Sequence, residues 1–271
     1  MSRLVVFTDL DGSLLDATTY SFDNVRQALE AIRTRRIPLV LVSSKTRAEI
    51  EPIRFQLENH HPFISENGGG IFIPKEYFPF SLENASVRAD YQIVELGTPY
   101  SKLRTALKEV QQAVGSELRG FGDMSVHEIA ERTGLSEAEA LLARQREYDE
   151  PFIIVEPATS AERVTYEIEL RGFACTWGGH FYHVIGRTDK GRACRYLIGW
   201  YRRLFGDHVV TLGIGDSLND LPLLTAVDRP ILVQKPNGAY DPDIQLTPLT
   251  RIPDVGSVGW NRAILSMLQE N

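Results

Sequence analysis

Cysteine is almost missing from this chain. Cys175 and Cys194 are the only two among 271 residues, which excludes a disulfide framework and fits a compartment that keeps thiols reduced. Long apolar runs are missing as well: none reaches the roughly 20 residues that span a bilayer, and no charged-then-apolar leader precedes Leu4. A cytoplasmic protein without a membrane partner is therefore expected. Blocks of basic residues are also lacking. With 29 Lys and Arg against 36 Asp and Glu the net charge is −7, and nucleic acid is not an expected partner, because that binding draws on clustered cations. No internal repeat or low-complexity tract occurs. What remains is an ordinary globular composition, 43% hydrophobic and 24% charged. The length exceeds the usual single domain of about 100–200 residues, so two domains, or one carrying an insertion, are expected.

The pattern along the chain predicts which. Leu4 to Thr8 is a short Val-rich apolar run, as in a strand buried on both faces. Phe22, Val25, Leu29 and Ile32 follow at helical spacing, with Ser21 as N-cap. Ile37 to Val42 reads as a second strand, Thr46 to Asn59 as a helix, and Phe63 to Ser65 as a third strand. The rhythm returns late, with a helix at Lys190 to Phe205, a strand at Val209 to Ile214, a helix at Leu218 to Thr225 and a strand at Pro230 to Val233. Strands alternating with helices predict an α/β fold with a Rossmann-like parallel sheet. Between the two blocks the alternation breaks. Strands at Tyr91 to Leu96 and Phe152 to Val155, a helix through Leu103 and Val114, a Ser136/Glu139 capping box and a hairpin at Thr176 to Ile185 predict an inserted α+β unit. The expected division is a core of residues 1–80 and 187–271 and an inserted domain of 81–186. Tyr240 to Val255 reads as an extended surface segment before a last helix, Val258 to Gln269.

Four segments carry chemistry. Asp9-Leu10-Asp11-Gly12-Ser13 stands where the first strand ends, the edge at which α/β sheets assemble their sites. Two carboxylates brought to one side repel each other unless a cation or a shared proton relieves them. Mg2+ suits such oxygen donors, and one carboxylate beside a bound phosphate can act as nucleophile while the other moves protons. The alternative is a solvated Asp-Gly turn. Gly213-Ile214-Gly215-Asp216-Ser217-Leu218-Asn219-Asp220 again follows a strand. It lacks the third glycine of a dinucleotide fingerprint, and its Asp216 would face the pyrophosphate, so two more carboxylates for a metal site, or a helix cap, explain it better. Ser43-Ser44-Lys45 closes the second strand, where hydroxyl and backbone N–H groups can hold phosphate oxygens. Lys190 opens a helix, where a cation opposes the helix dipole and calls for a compensating anion.

These segments, in this order, resemble the four motifs of the haloacid dehalogenase-like hydrolase superfamily. The resemblance implies Asp9 as nucleophile, Asp11 as general acid/base, Ser43, Ser44 and Lys190 as phosphate binders, and Mg2+ held by Asp9, Asp216 and the Asp11 carbonyl, with Asn219 and Asp220 in support. The insertion is similar to a C2-type cap of the B subtype (C2B). Glu66-Asn67-Gly68-Gly69-Gly70, residues 143–152 and Gly178-Gly179-His180-Phe181-Tyr182-His183 resemble the mannosyl-3-phosphoglycerate phosphatase subfamily. That implies a small phosphorylated sugar-glycerate substrate contacted by Lys45, Asn67, Gly68, Gly69, Arg146 and His180, in a monomer or homodimer. Plainer readings stand beside these. Arg146 and Glu150 would form an i,i+4 helical ion pair, the glycine run would be a tight hairpin turn, and His180 and His183, three apart on a hairpin, would point to opposite faces. Another sugar phosphatase, a sugar phosphomutase and a non-catalytic sugar-phosphate sensor remain the rival activities.

Overall fold

A computed structural model describes residues 3–155, 160–178 and 181–269. In chain order the strands are β1 (Arg3–Thr8), β2 (Leu39–Val42), β3 (Phe63–Ser65), β4 (Gly70–Pro74), β5 (Ser86–Arg88), β6 (Tyr91–Glu95), β7 (Leu118–Gly120), β8 (Asp149–Ile154), β9 (Ala174–Gly178), β10 (Phe181–Ile185), β11 (Val209–Gly215), β12 (Arg229–Gln234) and β13 (Thr250–Val255). The helices are α1 (Arg26–Thr34), α2 (Arg47–Gln56), α3 (Tyr100–Val114), α4 (Val126–Thr133), α5 (Glu137–Ala143), α6 (Ala161–Leu170), α7 (Lys190–Phe205), α8 (Leu221–Ala226) and α9 (Gly256–Gln269). They form two compact units, one of Met1–Ser43, Asn59–Val94 and Asp189–Asn271, the other of Ser44–Glu58 and Glu95–Thr188.

The first unit is built on a nine-stranded sheet in the order β13-β12-β11-β1-β2-β3-β4-β6-β5. Its centre is parallel: β1 runs parallel to both β11 and β2, and β2 to β3. These strands are apolar on both faces, as at Val5, Val6 and Phe7 and at Val40, Leu41 and Val42, all with no measurable exposure, which is what crossover helices on both sides require. The sheet is not parallel throughout. β4 turns back antiparallel on β3, and β5 and β6 form a further antiparallel pair. The segment after residue 80, assigned by its sequence pattern to the insertion, thus supplies two strands to the main sheet.

Local signals explain most boundaries. Thr46 caps α2 in a capping box with Glu49, and Asp189 caps α7 by accepting from the Arg192 N–H at 2.7 Å. The expected cap of α1 by Ser21 does not form. Ser21 Oγ instead donates to Asp23 and accepts from the Asp23 N–H, so a short 3-10 turn, Asp23–Val25, precedes α1. The tail does not stay free of secondary structure either, since β13 pairs in parallel with β12.

The second unit carries a four-stranded antiparallel sheet ordered β7-β8-β10-β9. Leu103, Leu107 and Val110 of α3 and Val164 and Ile168 of α6 pack with Phe152 and Val184 of the sheet into one buried cluster. The helical spacing of these side chains fixes which face of each helix is buried. By its contacts α2 groups with this unit, whereas its sequence position places it in the core.

Candidate active site

The register brings the chemistry-bearing residues to one edge of the first unit. Thr8 lies opposite Ile214 on β11 and Leu41 on β2, and Val42 opposite Ile64 on β3. Asp9, Ser43, Glu66 and Asp216 therefore each follow the carboxyl end of one of four adjacent parallel strands, the edge where open α/β sheets bind ligands. Asp9 is held there by its N–H donating to the Ile214 carbonyl at 2.9 Å. Beneath it runs a buried chain in which Trp260 Nε1 donates to Thr8 Oγ1 at 2.9 Å and that hydroxyl donates to the Asp9 carbonyl at 2.8 Å. The chain then turns sharply: Gly12, at φ +75°, is so close to Asp216 that a Cβ on it would lie 3.0 Å from Oδ2.

Lys190 is the electrostatic centre. Its side chain is fully buried and its ammonium donates to Asp9 Oδ1 at 2.7 Å and Asp220 Oδ1 at 2.6 Å. Burial disfavours the charged amine, but the two carboxylates outweigh it and raise its pKa. The cation at the first turn of α7 thus has its anions. Asp9 itself is pushed well above the ordinary carboxylate range, by burial first and then by Asp220 and Asp11, against the opposing pull of Lys190. Burial and Asp220 also raise Asp216 to about 6, with Lys190 opposing.

Asp220 has a different occupation. Its Oδ2 accepts the N–H groups of Asp216 at 3.1 Å and Ser217 at 3.3 Å while Oδ1 accepts Lys190. Its oxygens are committed to shaping the turn and holding the lysine. Gly215 makes room for this, because a Cβ there would fall 2.5 Å from that of Asp220. Asn219 Oδ1 accepts from Ser217 Oγ in the same turn, and Asp241 braces it from outside by accepting the Leu218 N–H at 3.1 Å and the Lys235 ammonium at 2.7 Å.

Oxygens of Asp9, Asp216 and Asp220 lie within 4.8 Å of one another. All-carboxylate donors of this kind, with Asp9 and Asp216 pushed up by burial and by Asp220, fit a hard divalent cation such as Mg2+. Asp9 and Asp216 are the donors not already consumed by backbone amides. Ser43 is buried, its N–H donating to the Ile64 carbonyl and its own carbonyl accepting from the Asn67 N–H, both at 3.0 Å. Gly68 abuts the carbonyl of Asp189, and Gly69 donates back to Ser65. Ser13 Oγ and Asn67 Oδ1 are buried polar atoms without a hydrogen-bond partner among the described residues.

This edge assigns a family. The haloacid dehalogenase-like hydrolase model matches residues 6–237. The chain belongs to that family. This hydrolase is 46% identical over 267 residues to the glucosyl-3-phosphoglycerate/mannosyl-3-phosphoglycerate phosphatase of Methanococcoides burtonii, with 98% of each chain covered. It is 40% identical over 268 residues to the protein of the same name from Persephonella marina, again with 98% of each covered. Among solved structures, protein 0175 of Thermoplasma acidophilum superposes with a TM-score of 0.70 at 20% identity, covering 99% of both chains, which speaks for the shared fold.

The second unit of the hydrolase holds the remaining expected residues, except His180, which lies outside the described residues. Lys45 is half-buried, and its charge helps lower the pKa of Glu139 on α5 after the hydroxyl and N–H of Ser136. The Ser44 carbonyl accepts from Arg146 Nη1 at 3.3 Å. Arg146 is not one helical turn from Glu150, because α5 ends at Ala143 and Glu150 stands in β8. Its guanidinium also donates to the Ala143 carbonyl at 2.8 Å and Asp149 at 3.4 Å, and lies over the Phe121 ring. Glu150 instead accepts from Arg104 at 2.6 Å and from the Gly122 N–H.

Sequence reasoning missed two pairs. His183 Nδ1 meets Asp149 at 2.9 Å across neighbouring strands. Burial would raise the pKa of Asp149, but His183 and Arg146 overcome it and lower it. Lys235 and Asp241 lie in a Pro- and Asp-rich segment whose composition reads as solvated loop. Only tertiary contact reveals that it braces the carboxylate turn.

Proposed function

We propose that this hydrolase is a Mg2+-dependent phosphatase that releases phosphate from glycosyl-3-phosphoglycerates, with mannosyl-3-phosphoglycerate as substrate and mannosylglycerate as product. The observation that carries the chemistry is the buried Lys190 ammonium bridging Asp9 and Asp220 beside Asp216 at the carboxyl edge of the sheet. The names of full-length relatives at 46% and 40% identity support the substrate class.

In this reading Asp9 attacks phosphorus in line, forming an Oδ–P bond as the P–O bond to the glycerate oxygen breaks. Asp11 gives that oxygen its proton. Asp11 then takes a proton from water as the water oxygen bonds to phosphorus and the Asp9–P bond breaks, returning both carboxyl groups to their starting state. Ser43 and Lys190 hold phosphoryl oxygens throughout, acting on charge that the low-dielectric site does not screen. Asp9, Asp216 and the Asp11 carbonyl would hold Mg2+, which would supply positive charge toward the carboxylates and the phosphoryl group. Ser44 adds a phosphate contact, and Lys45, Arg146, Asn67, Gly69 and His180 meet the glycerate and sugar. The enzyme works on a small molecule in the cytoplasm as a monomer or homodimer.

The test is phosphate release from mannosyl- and glucosyl-3-phosphoglycerate and from common hexose phosphates, with Mg2+ or EDTA and with Asp9→Asn as the blank. Preference for the mannosyl ester, dependence on Mg2+ and silence of the blank are expected. Preference for hexose monophosphates would overturn the substrate, and turnover by Asp9→Asn the chemistry.

A further inference from the structure

The turn after β3 has an unusual backbone. Glu66, Asn67 and Gly68 take φ values of +47°, +54° and +95° in succession, although the first two carry side chains for which the left-handed region is uncommon. Such a conformation persists only where its surroundings dictate it. Two contacts do so here. The Asn67 N–H donates to the Ser43 carbonyl at 3.0 Å. On the other side, a Cβ on Gly68 would lie 2.2 Å from the Asp189 carbonyl oxygen, 2.5 Å from its carbon and 3.1 Å from the Lys190 nitrogen. These are backbone atoms, and the Asp189 side chain is bound to the Arg192 N–H as the cap of α7, so the 189–190 peptide cannot step aside without uncapping the helix. Gly69 N–H closes the turn on the carbonyls of Ser65 and Glu66.

We propose that the Glu66–Gly68 turn is a spacer that sets Ser43 and Lys190 at the separation a phosphoryl group needs, with Gly68 a positioning residue and not a contact to the sugar or glycerate. The turn touches the backbone of both residues. Lys190 is the first residue of α7, so a displacement of its peptide moves the root of the ammonium-bearing side chain. Misplacement of a binding group by about 1 Å is enough to cost about a hundredfold in a preorganised site. The proposal rests on the reading of Ser43 and Lys190 as phosphate binders.

The experiment measures inorganic phosphate binding in Mg2+, Mg2+ binding alone, and kcat and KM for both a glycosyl-3-phosphoglycerate and p-nitrophenyl phosphate, in wild type, Gly68→Ala and Gly115→Ala. Gly115 also has positive φ, at +70°, but nothing lies near its would-be Cβ, so it reports the conformational penalty alone. Expected for Gly68→Ala are phosphate affinity lower by about tenfold or more, kcat reduced on both esters, and Mg2+ affinity unchanged, with Gly115→Ala like wild type throughout. Unchanged phosphate affinity with KM raised for the glycosyl ester only would make Gly68 a substrate contact and overturn the proposal. Equal loss of Mg2+ and phosphate affinity would make the effect general disruption and overturn it too. Wild type that hydrolyses neither ester defeats the phosphatase reading, and the spacer with it, whereas an active wild type beside a phosphate-tight Gly68→Ala defeats the spacer alone. Should Gly68→Ala not fold, hydrogen exchange on wild type decides. A preset spacer protects the Asn67 amide equally with and without phosphate, while protection gained only on phosphate binding would show a turn that forms around its ligand.

Discussion

Replacing Asp216 with Asn removes a proposed metal ligand and should therefore abolish Mg2+-dependent turnover, yet the same change should stabilise the metal-free protein. Asp216 is 8% exposed and its pKa is raised from 3.8 to about 6 by burial and by Asp220. The folded state thus holds this proton more tightly than the unfolded chain does. Its contribution to stability is full below about pH 4 and is lost as pH rises through about 6. At about 1.4 kcal/mol per pH unit, the displacement is worth about 3 kcal/mol at neutral pH. Asn has no proton to lose. In EDTA the denaturation free energy of Asp216→Asn should exceed that of wild type by up to about 3 kcal/mol near pH 7.5, and the gap should shrink as pH falls toward 4. Saturating Mg2+ should close or reverse the gap, because only wild type keeps the full donor set and gains the binding free energy. Urea midpoints across pH, with and without Mg2+, measure all three. A variant less stable than wild type at neutral pH in EDTA, or a gap independent of pH, would refute the account of Asp216 as a crowded carboxylate awaiting a cation.

Asp9→Asn should lower phosphate release by orders of magnitude while leaving an oxygen for Lys190 to bond, so circular dichroism should match wild type as single-turnover phosphate release disappears. Asp149→Asn should cost about 1–3 kcal/mol at neutral pH through the lost charge on the His183 and Arg146 contacts. Because the Asp149 pKa is depressed, its stabilisation is present above 3.8 and lost as pH falls below it, so wild-type and variant stabilities should converge there in a pH series of denaturant melts. Asp241→Ala frees the Leu218 N–H and the Lys235 ammonium, and calorimetry should find Mg2+ affinity reduced severalfold, with phosphate affinity in the variant following only as far as Mg2+ occupancy does.

How much of this was legible in the sequence follows from where each signal lives. The polar edge of the sheet was legible because a strand buried on both faces must be a continuous apolar run, and the residue at which polarity returns marks the sheet edge. Asp9, Ser43 and Asp216 each stand at such a break, and α7 spans Lys190–Phe205 as its periodicity predicts. The antiparallel strands β4, β5 and β6 were harder, since three to five residues give too little alternation to separate a sheet extension from an insertion. The α1 cap failed for a related reason: Ser21 satisfies Asp23 equally well in a 3-10 turn. The His183–Asp149 pair was missed because its members are 34 residues apart in sequence, and Arg146 was misread because its contacts run to Ser44, Ala143 and Asp149 and not along a helix. Spacing alone matched Arg146 with Glu150 on a helix that ends before either residue.

The charges at the edge sort the four acidic residues by duty. Asp9 and Asp220 bond one buried lysine, whose charge also reaches Asp216, while Asp11 acts on Asp9, and burial disfavours every one of the negative charges that is left uncompensated. Asp220 is the best compensated, with Lys190 on one oxygen and two backbone amides on the other, so its part is structural. Asp9 and Asp216 have raised pKa values, with burial the first cause. Those are the positions where a divalent cation gains most by replacing protons. Lys190 is shared between a structural carboxylate and the proposed nucleophile, which keeps it charged and fixed. In the proposed function an incoming phosphoryl group meets an ammonium that needs no reorganisation, on a helix start that the proposed spacer at Gly68 holds from behind. A single methyl group on Gly68 would fall where the Asp189 carbonyl already stands.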